Sequence, residues 1–152
     1  MPSTIISDTS CLIALDNIGE LALLPKLYKQ ITTTSIVAKE FGGKLPDWIE
    51  IVNPKDKLHQ QILELYLDEG EASAIALALE ISNSTIILDD EKARKAAEKL
   101  KLKITGTLGI ISKAKNNGII HSIKPYLLKL KTAGFRLTEK LENMALKESG
   151  EL

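Results

Sequence analysis

The sequence has a single cysteine, Cys11, among its 152 residues. One cysteine cannot form a disulfide within the chain, so we expect a protein of a reducing compartment, the cytoplasm. No stretch approaches the roughly 20 apolar residues of a membrane-spanning helix, and the amino terminus carries no basic segment followed by an apolar one. Neither membrane insertion nor export is therefore expected. Because Cys11 lies on an apolar helical run, it is predicted to be a buried small side chain rather than a nucleophile.

The chain also lacks a net charge, since 20 basic residues balance 20 acidic ones, but the two signs are separated along it. Residues 1–91 hold 6 Lys or Arg against 15 Asp or Glu, whereas residues 92–131 hold 11 Lys or Arg against one acidic residue. This pattern suits a metal-dependent enzyme acting on nucleic acid, in which carboxylates hold the cation and lysines contact the polyanion. For most single lysines, a solvated helix face is the structural alternative.

Runs of β type alternate with helical periodicities over the whole length, without a linker or a repeat. Strands are predicted at residues 3–7, 30–34, 48–52, 84–88 and 103–105. Helices are predicted at residues 11–16, 21–28, 35–41, 58–67, 72–79, 91–100, 106–114, 125–130 and 137–146. Ser35 is predicted to cap the third of these helices. We therefore predict one α/β domain over residues 1–147, with a parallel sheet covered on both faces, and a tail over residues 148–152 that frays.

Four short acidic sites lie where a predicted strand or loop meets a helix. Asp8 and the pair Asp89-Asp90 end β-type runs, so in a parallel sheet they reach the carboxyl edge, where such folds bind ligands. Glu40 lies on a predicted helix, and Glu71 lies at a predicted helix start. Crowded carboxylates repel one another unless a cation neutralises them, and oxygen ligands suit Mg²⁺ or Mn²⁺. The pattern indicates metal-assisted phosphate chemistry.

Each of these acids also has a purely structural interpretation. Asp8 or Asp89 could cap a helix N-terminus through its carboxylate. Glu71 could complement the dipole of its helix, and Glu40 could be a solvated surface residue. The order of the four sites along the chain favours the functional interpretation over four independent structural ones.

Polar and basic residues follow two of the acidic sites. Thr9 and Ser10 place hydroxyl groups beside Asp8, where they could orient its carboxylate or contact a phosphate. A basic group follows Asp90 within about one and a half helical turns and could stabilise charge on a scissile phosphate. A solvated helix face is the alternative for this group, which comprises Lys92, Arg94 and Lys95.

Together these segments resemble the PIN domain. The resemblance covers about residues 3–140, and it implies a three-layer α/β/α sandwich with a parallel sheet of four to five strands. Residues 104–111 and 114–118 also resemble a prokaryotic branch often described only as a predicted PIN nucleic-acid-binding protein. The segments that carry the family resemblance, in its order and spacing, are Asp8-Thr9-Ser10, Val37-Ala38-Lys39-Glu40, Asp68-Glu69-Gly70-Glu71-Ala72 and Leu88-Asp89-Asp90-Glu91-Lys92-Ala93-Arg94.

The resemblance implies an Mg²⁺- or Mn²⁺-dependent ribonuclease that hydrolyses RNA phosphodiesters. Many relatives are toxins of VapBC-type toxin–antitoxin pairs, dimeric and held inactive by a small antitoxin. The resemblance therefore also implies that RNA is the substrate, that the protein is a homodimer and that a small antitoxin protein is its partner. The alternative is a PIN-like domain that binds RNA or a protein without cleaving it.

Carried over by position, the family's metal ligands fall on the acidic sites of this chain. Asp8 and Asp90 would be the core ligands, with Glu40 and Glu71 completing the cluster. Asp89 is the alternative to Asp90, which is preferred because the family's usual acidic residue follows the strand end by two. Glu71 stands where many PIN nucleases carry Asp, so its longer side chain could move a second metal position.

Overall fold

The computed structural model describes residues 4–152, and within them the chain forms five strands and nine helices. The strands are β1 (Thr4–Ser7), β2 (Gln30–Thr33), β3 (Ile49–Ile51), β4 (Ser84–Ile87) and β5 (Ile104–Thr105). The helices are α1 (Thr9–Asn17), α2 (Leu23–Leu27), α3 (Ser35–Phe41), α4 (Lys57–Leu63), α5 (Glu69–Glu80), α6 (Glu91–Lys99), α7 (Thr107–Asn116), α8 (Lys124–Thr132) and α9 (Glu139–Glu148).

The five strands form one sheet in which every neighbouring pair is parallel. Their order is β3-β2-β1-β4-β5, so β1 lies at the centre between β2 and β4. The register pairs Ser7 of β1 with Ile87 of β4. Because the two strands end level with each other, the residues that follow them leave the same edge of the sheet side by side.

Alternate residues of the central strands face opposite helical layers. Ile5 and Ile87 pack with apolar residues of α1, α2, α3 and α7 on one face. Ile6 and Ile86 pack with α5 and α6 on the other face. All four isoleucines are buried, as expected for a parallel sheet covered on both sides. The predicted three-layer α/β/α architecture with a parallel sheet is confirmed.

The last two helices add a separate apolar cluster outside the first helical layer. Leu127 and Leu130 of α8 and Ala145 of α9 are buried against Ile111 and Ala114 of α7. In residues 4–152, no helix is long and apolar enough to span a bilayer.

The segment after α9 makes polar contacts with the rest of the domain. The carboxylate of Glu151 accepts hydrogen bonds from the Ser122 hydroxyl and from the backbone amide of Ile123, at 2.7 Å for the amide. Lys115 Nζ donates to the carbonyl oxygen of Ser149 at 2.7 Å. These contacts tie the segment after α9 to α7 and to the loop before α8.

Most predicted elements form within one to three residues of the expected bounds. Ser3, the predicted start of the first strand, lies outside the described residues. Helix α3 is capped by Thr34 rather than by Ser35, because the Thr34 hydroxyl accepts the hydrogen bond from Val37 N. Helix α5 starts at Glu69, earlier than predicted, since Asp68 caps it.

Candidate functional site

Asp8 is the most enclosed carboxylate of the carboxyl edge, with only 2% of its surface exposed. It follows β1 and caps α1, its Oδ1 accepting a hydrogen bond of 2.9 Å from Cys11 N. Its Oδ2 accepts a longer bond of 3.4 Å from Asp89 N. The structural interpretation of Asp8 as an N-cap is therefore correct as far as Oδ1 is concerned, while Oδ2 faces the end of β4.

Asp89 lies beside Asp8 and is fixed by Thr107, the first residue of α7. Oδ1 of Asp89 accepts from Thr107 N at 2.8 Å, and Oδ2 accepts from the Thr107 hydroxyl at 2.5 Å. Thr107 is fully buried, whereas Asp89 is half-buried, so this connection between β4 and α7 is partly shielded from water. Sequence reasoning did not identify Thr107 as a site residue. The available signal was Gly106-Thr107, a helix start after a strand.

Asp90 is more exposed than Asp89 and takes a different place. It caps α6, with Oδ2 accepting a hydrogen bond of 3.0 Å from Ala93 N. The negative charge of Asp90 contributes to the raised pKa of Glu71, whereas the charge of Asp89 contributes to the raised pKa of Asp8. The two members of the pair therefore face different parts of the acidic edge, and Asp89 is the one next to Asp8.

Glu40 reaches the same edge from α3. Its Oε1 accepts a hydrogen bond of 2.5 Å from the hydroxyl of Thr9, in the first turn of α1. Its carboxylate also lies against Gly70 of α5, where an added Cβ would be 2.9 Å from Glu40 Cδ. Glu40 is thus placed between the N-terminal turns of α1 and α5.

A chain of buried hydroxyl groups joins α3 to α5. The hydroxyls of Thr34 and Ser73 lie 2.6 Å apart, and the Ser73 hydroxyl donates to the carbonyl oxygen of Gly70 at 2.8 Å. Thr34 also caps α3 through Val37 N. This link sets the distance between the helix that carries Glu40 and the helix that carries Glu71.

Glu71 has a strongly perturbed carboxyl group. Partial burial, followed by the nearby charges of Asp68 and Asp90, raises the pKa of Glu71 from 4.5 to about 7. Asp68 caps α5, its Oδ1 accepting from Glu71 N at 2.9 Å. Asp68 belongs to one of the segments that resemble the PIN domain, but it was not predicted to be a site residue.

The pKa of Asp8 is raised as well, mainly because Asp8 is buried and then because Asp89 lies nearby, with a smaller effect of Glu71. The same burial, together with the charges of Asp8 and Asp89, raises the pKa of the Cys11 thiol. Cys11 is fully buried, as predicted, and a raised thiol pKa opposes a nucleophilic role. Asp8, Asp89, Glu71 and Asp90 are therefore linked through one shared electrostatic field.

The predicted phosphate-binding residues have different surroundings. Ser10, Lys92 and Lys95 are exposed, and within residues 4–152 neither lysine forms an ion pair. Arg94 turns inward instead, its Nη1 donating to the Leu88 carbonyl oxygen at 2.7 Å. Thr9 is engaged by Glu40. The first three side chains are free to meet a ligand, whereas Arg94 and Thr9 already hold parts of the site.

A family model described as a PIN domain matches residues 4–151, almost the whole chain. The chain belongs to the PIN-domain family. No curated protein matches it. PIN domains are generally nucleases that typically use divalent metal ions, so family membership supports a nuclease-like fold and, at that coarse level, a hydrolase.

The acidic edge fits a divalent cation by its donor chemistry. All candidate ligands are carboxylate oxygens. The pKa values of Asp8 and Glu71 are raised first by burial and then by neighbouring negative charges, and a cation would offset those charges. Within the part of the chain that the structure describes, however, no three Asp, Glu, His or Cys side chains are arranged as a ready metal-binding group. Binding would therefore require the carboxylates to turn toward a common ion.

Proposed function

We propose that this PIN domain is a Mg²⁺- or Mn²⁺-dependent endoribonuclease. One observation carries the proposal: at a single sheet edge, burial and then the charges of Asp89 and Glu71 raise the pKa of Asp8, while burial and then the charges of Asp68 and Asp90 raise that of Glu71. In residues 4–152, no lysine or arginine forms an ion pair with any of them. Such an arrangement disfavours the ionised carboxylates in the free protein, and a divalent cation would relieve that repulsion.

The ligands we propose are Asp8, Glu40, Glu71 and Asp89. Of the Asp89-Asp90 pair, we now favour Asp89, because it lies next to Asp8 and its orientation is set by two hydrogen bonds from Thr107. Metal ligands held by such outer hydrogen bonds are typical of functional sites. Asp90, which the resemblance favoured, would not bind the ion directly and would instead help to raise the pKa of Glu71 through its negative charge.

The chemistry divides between the ion and the protein. The bound cation would activate a water molecule and stabilise the charge on the attacking and leaving oxygens. Ser10, Lys92 and Lys95 are exposed near the two strand ends and would bind RNA phosphates. Arg94 would hold the end of β4 in place through the Leu88 carbonyl, rather than contact the phosphate itself.

The decisive experiment is cleavage of single-stranded RNA by the purified protein. We expect cleavage with Mn²⁺ or Mg²⁺, its loss in EDTA and its loss in Asp8→Asn. Asp8→Asn removes the charge but keeps an oxygen that can accept from Cys11 N, so the fold should persist and circular dichroism should match the wild type. Asp16→Asn is the matched control, because Asp16 is an exposed residue at the other end of α1.

The second candidate is an RNA-binding PIN domain that does not cleave. It is favoured by one observation, since both oxygens of Asp89 are already engaged by Thr107. Tight RNA binding by the wild type without cleavage in Mn²⁺ would support this candidate and contradict the nuclease.

We further propose that the protein is the toxin of a toxin–antitoxin pair and forms a homodimer. The support is the family resemblance, since many PIN nucleases act in such pairs. Growth arrest on expression, relieved by a small protein encoded next to it, is the expected result. Light scattering of the purified chain should give twice the monomer mass of 16.7 kDa.

A further inference from the structure

We propose that Gly70 is a positioning residue: its missing side chain leaves the space in which the carboxylate of Glu40 joins the acidic edge. The inference rests on the proposed metal-dependent function, in which Glu40 is a ligand. In this proposal Gly70 contacts neither metal nor RNA and acts only by positioning Glu40.

The space at Gly70 is occupied by the whole carboxyl group of Glu40. A Cβ built on Gly70 would lie 2.9 Å from Glu40 Cδ and 3.2 Å from Oε2, and closer still to Oε1. Side-chain carbons essentially never approach another heavy atom below 3.0 Å. Any residue other than glycine at this position would therefore displace the carboxylate.

The backbone of Gly70 gives no reason for a glycine. It lies in the first turn of α5 and is absent from the residues with positive φ, so alanine could adopt its conformation. Alanine is also the better helix former of the two. The glycine is thus explained by the neighbouring side chain rather than by the helix.

The helices themselves cannot easily move apart to make room for a methyl group. The Thr34 hydroxyl contacts that of Ser73, which in turn donates to the Gly70 carbonyl, so α3 is tied to the same turn of α5. Glu40, in contrast, is an exposed residue with a flexible end. The added methyl would therefore move the Glu40 carboxylate away from Thr9 and leave the fold intact.

The test is Gly70→Ala, with Mn²⁺ affinity by calorimetry and RNA cleavage measured beside the melting temperature. We expect the melting temperature to stay the same or rise, while Mn²⁺ affinity and kcat fall about 10- to 100-fold, the range found when a residue that orients a metal ligand is lost. Gly43→Ala is the matched control. It follows α3 closely, and its new Cβ would meet only Phe41 carbons at 3.6 Å or more.

A double-mutant cycle separates positioning of Glu40 from a general effect on α5. In a Glu40→Asp background the shorter side chain ends before Gly70, so Gly70→Ala should cost less than about twofold there. An equal loss in both backgrounds, or wild-type Mn²⁺ affinity in Gly70→Ala, would overturn the proposal.

A crystal structure of Gly70→Ala keeps this test independent of the proposed function. If the wild type neither binds Mn²⁺ nor cleaves RNA, the nuclease assignment fails. The positioning claim then stands or falls on whether Glu40 still accepts the Thr9 hydrogen bond in the variant. Retention of that bond at 2.5 Å in the Gly70→Ala variant would contradict it.

Discussion

The hydroxyl of Thr107 donates a hydrogen bond of 2.5 Å to Oδ2 of Asp89, a proposed metal ligand. Thr107→Val keeps the shape of the side chain and the hydrogen bond from the backbone N–H to Oδ1, but it removes the hydroxyl donor. We expect a loss of about 1–2 kcal/mol of stability, because a partly buried carboxylate oxygen loses its partner. We also expect about 10-fold weaker Mn²⁺ binding, since the ligand is no longer held. Urea unfolding and calorimetry measure the two effects.

Thr32 offers a matched control for that substitution. Its hydroxyl is also buried, but in residues 4–152 it has no hydrogen-bond partner. Thr32→Val should therefore leave stability unchanged or raise it, and leave Mn²⁺ affinity at the wild-type level. Equal losses in the two variants would show that Thr107 contributes through packing alone.

Asp89 and Asp90 are adjacent in sequence but should respond differently to loss of charge. Asp89→Asn alters a carboxylate next to Asp8, so we expect RNA cleavage to fall at least about 100-fold. Asp90→Asn keeps an oxygen for the cap of α6 and removes only an outer charge, so a loss of about 10-fold or less is expected. A reversed order in steady-state cleavage assays would assign the ligand to Asp90.

At the scale of the helices, the link between α3 and α5 depends on one buried hydroxyl pair. Ser73→Ala should destabilise the fold by about 1–2 kcal/mol, because the Thr34 hydroxyl and the Gly70 carbonyl both lose a partner. Ser82→Ala changes an exposed serine after α5 and should stay within about 0.5 kcal/mol. Denaturant unfolding of both variants tests the difference. Equal stability of the two would mean that packing alone holds α3 against α5.

The helices and strands could largely be predicted, because their signals are local. Thr85, Ile86 and Ile87 are β-branched, and Ser84–Ile87 forms the strand beside β1. The cap of α3 was assigned one residue too late, since Thr34 and Ser35 are adjacent and both can cap a helix. The contacts of Glu151 with Ser122 and Ile123 join residues far apart in sequence, so no local pattern predicts them.

The candidate site was predictable in its members but not in its connections. Spacing from strand ends indicated Asp8 and the Asp89-Asp90 pair, because parallel strands share a carboxyl edge. No local pattern shows that Thr107, 18 residues further on, binds Asp89. The close approach of Glu40 to Gly70 likewise depends on how two helices pack, which sequence spacing does not determine.

For the molecule as a whole, the acidic edge links stability to pH. The pKa of Glu71 is about 7 in the folded protein, against 4.5 as the ordinary value that it regains on unfolding. Between these pH values the folded protein therefore binds more protons than the unfolded chain, so stability falls as the pH rises. The raised pKa of Asp8 acts in the same direction. The acidic edge therefore lowers the stability of the fold most above pH 7, where its carboxylates are ionised.

We therefore expect the metal-free protein in EDTA to lose a few degrees of melting temperature between pH 5 and pH 8. Mn²⁺ should restore more of the melting temperature at pH 8 than at pH 5, because ionised carboxylates bind the cation and neutral ones do not. Glu71→Gln should flatten the metal-free profile, leaving the smaller slope due to Asp8, and should weaken the response to Mn²⁺. Calorimetric scans across this pH range measure all three effects, and a metal-free melting temperature that rises toward pH 8 would contradict the assigned electrostatics.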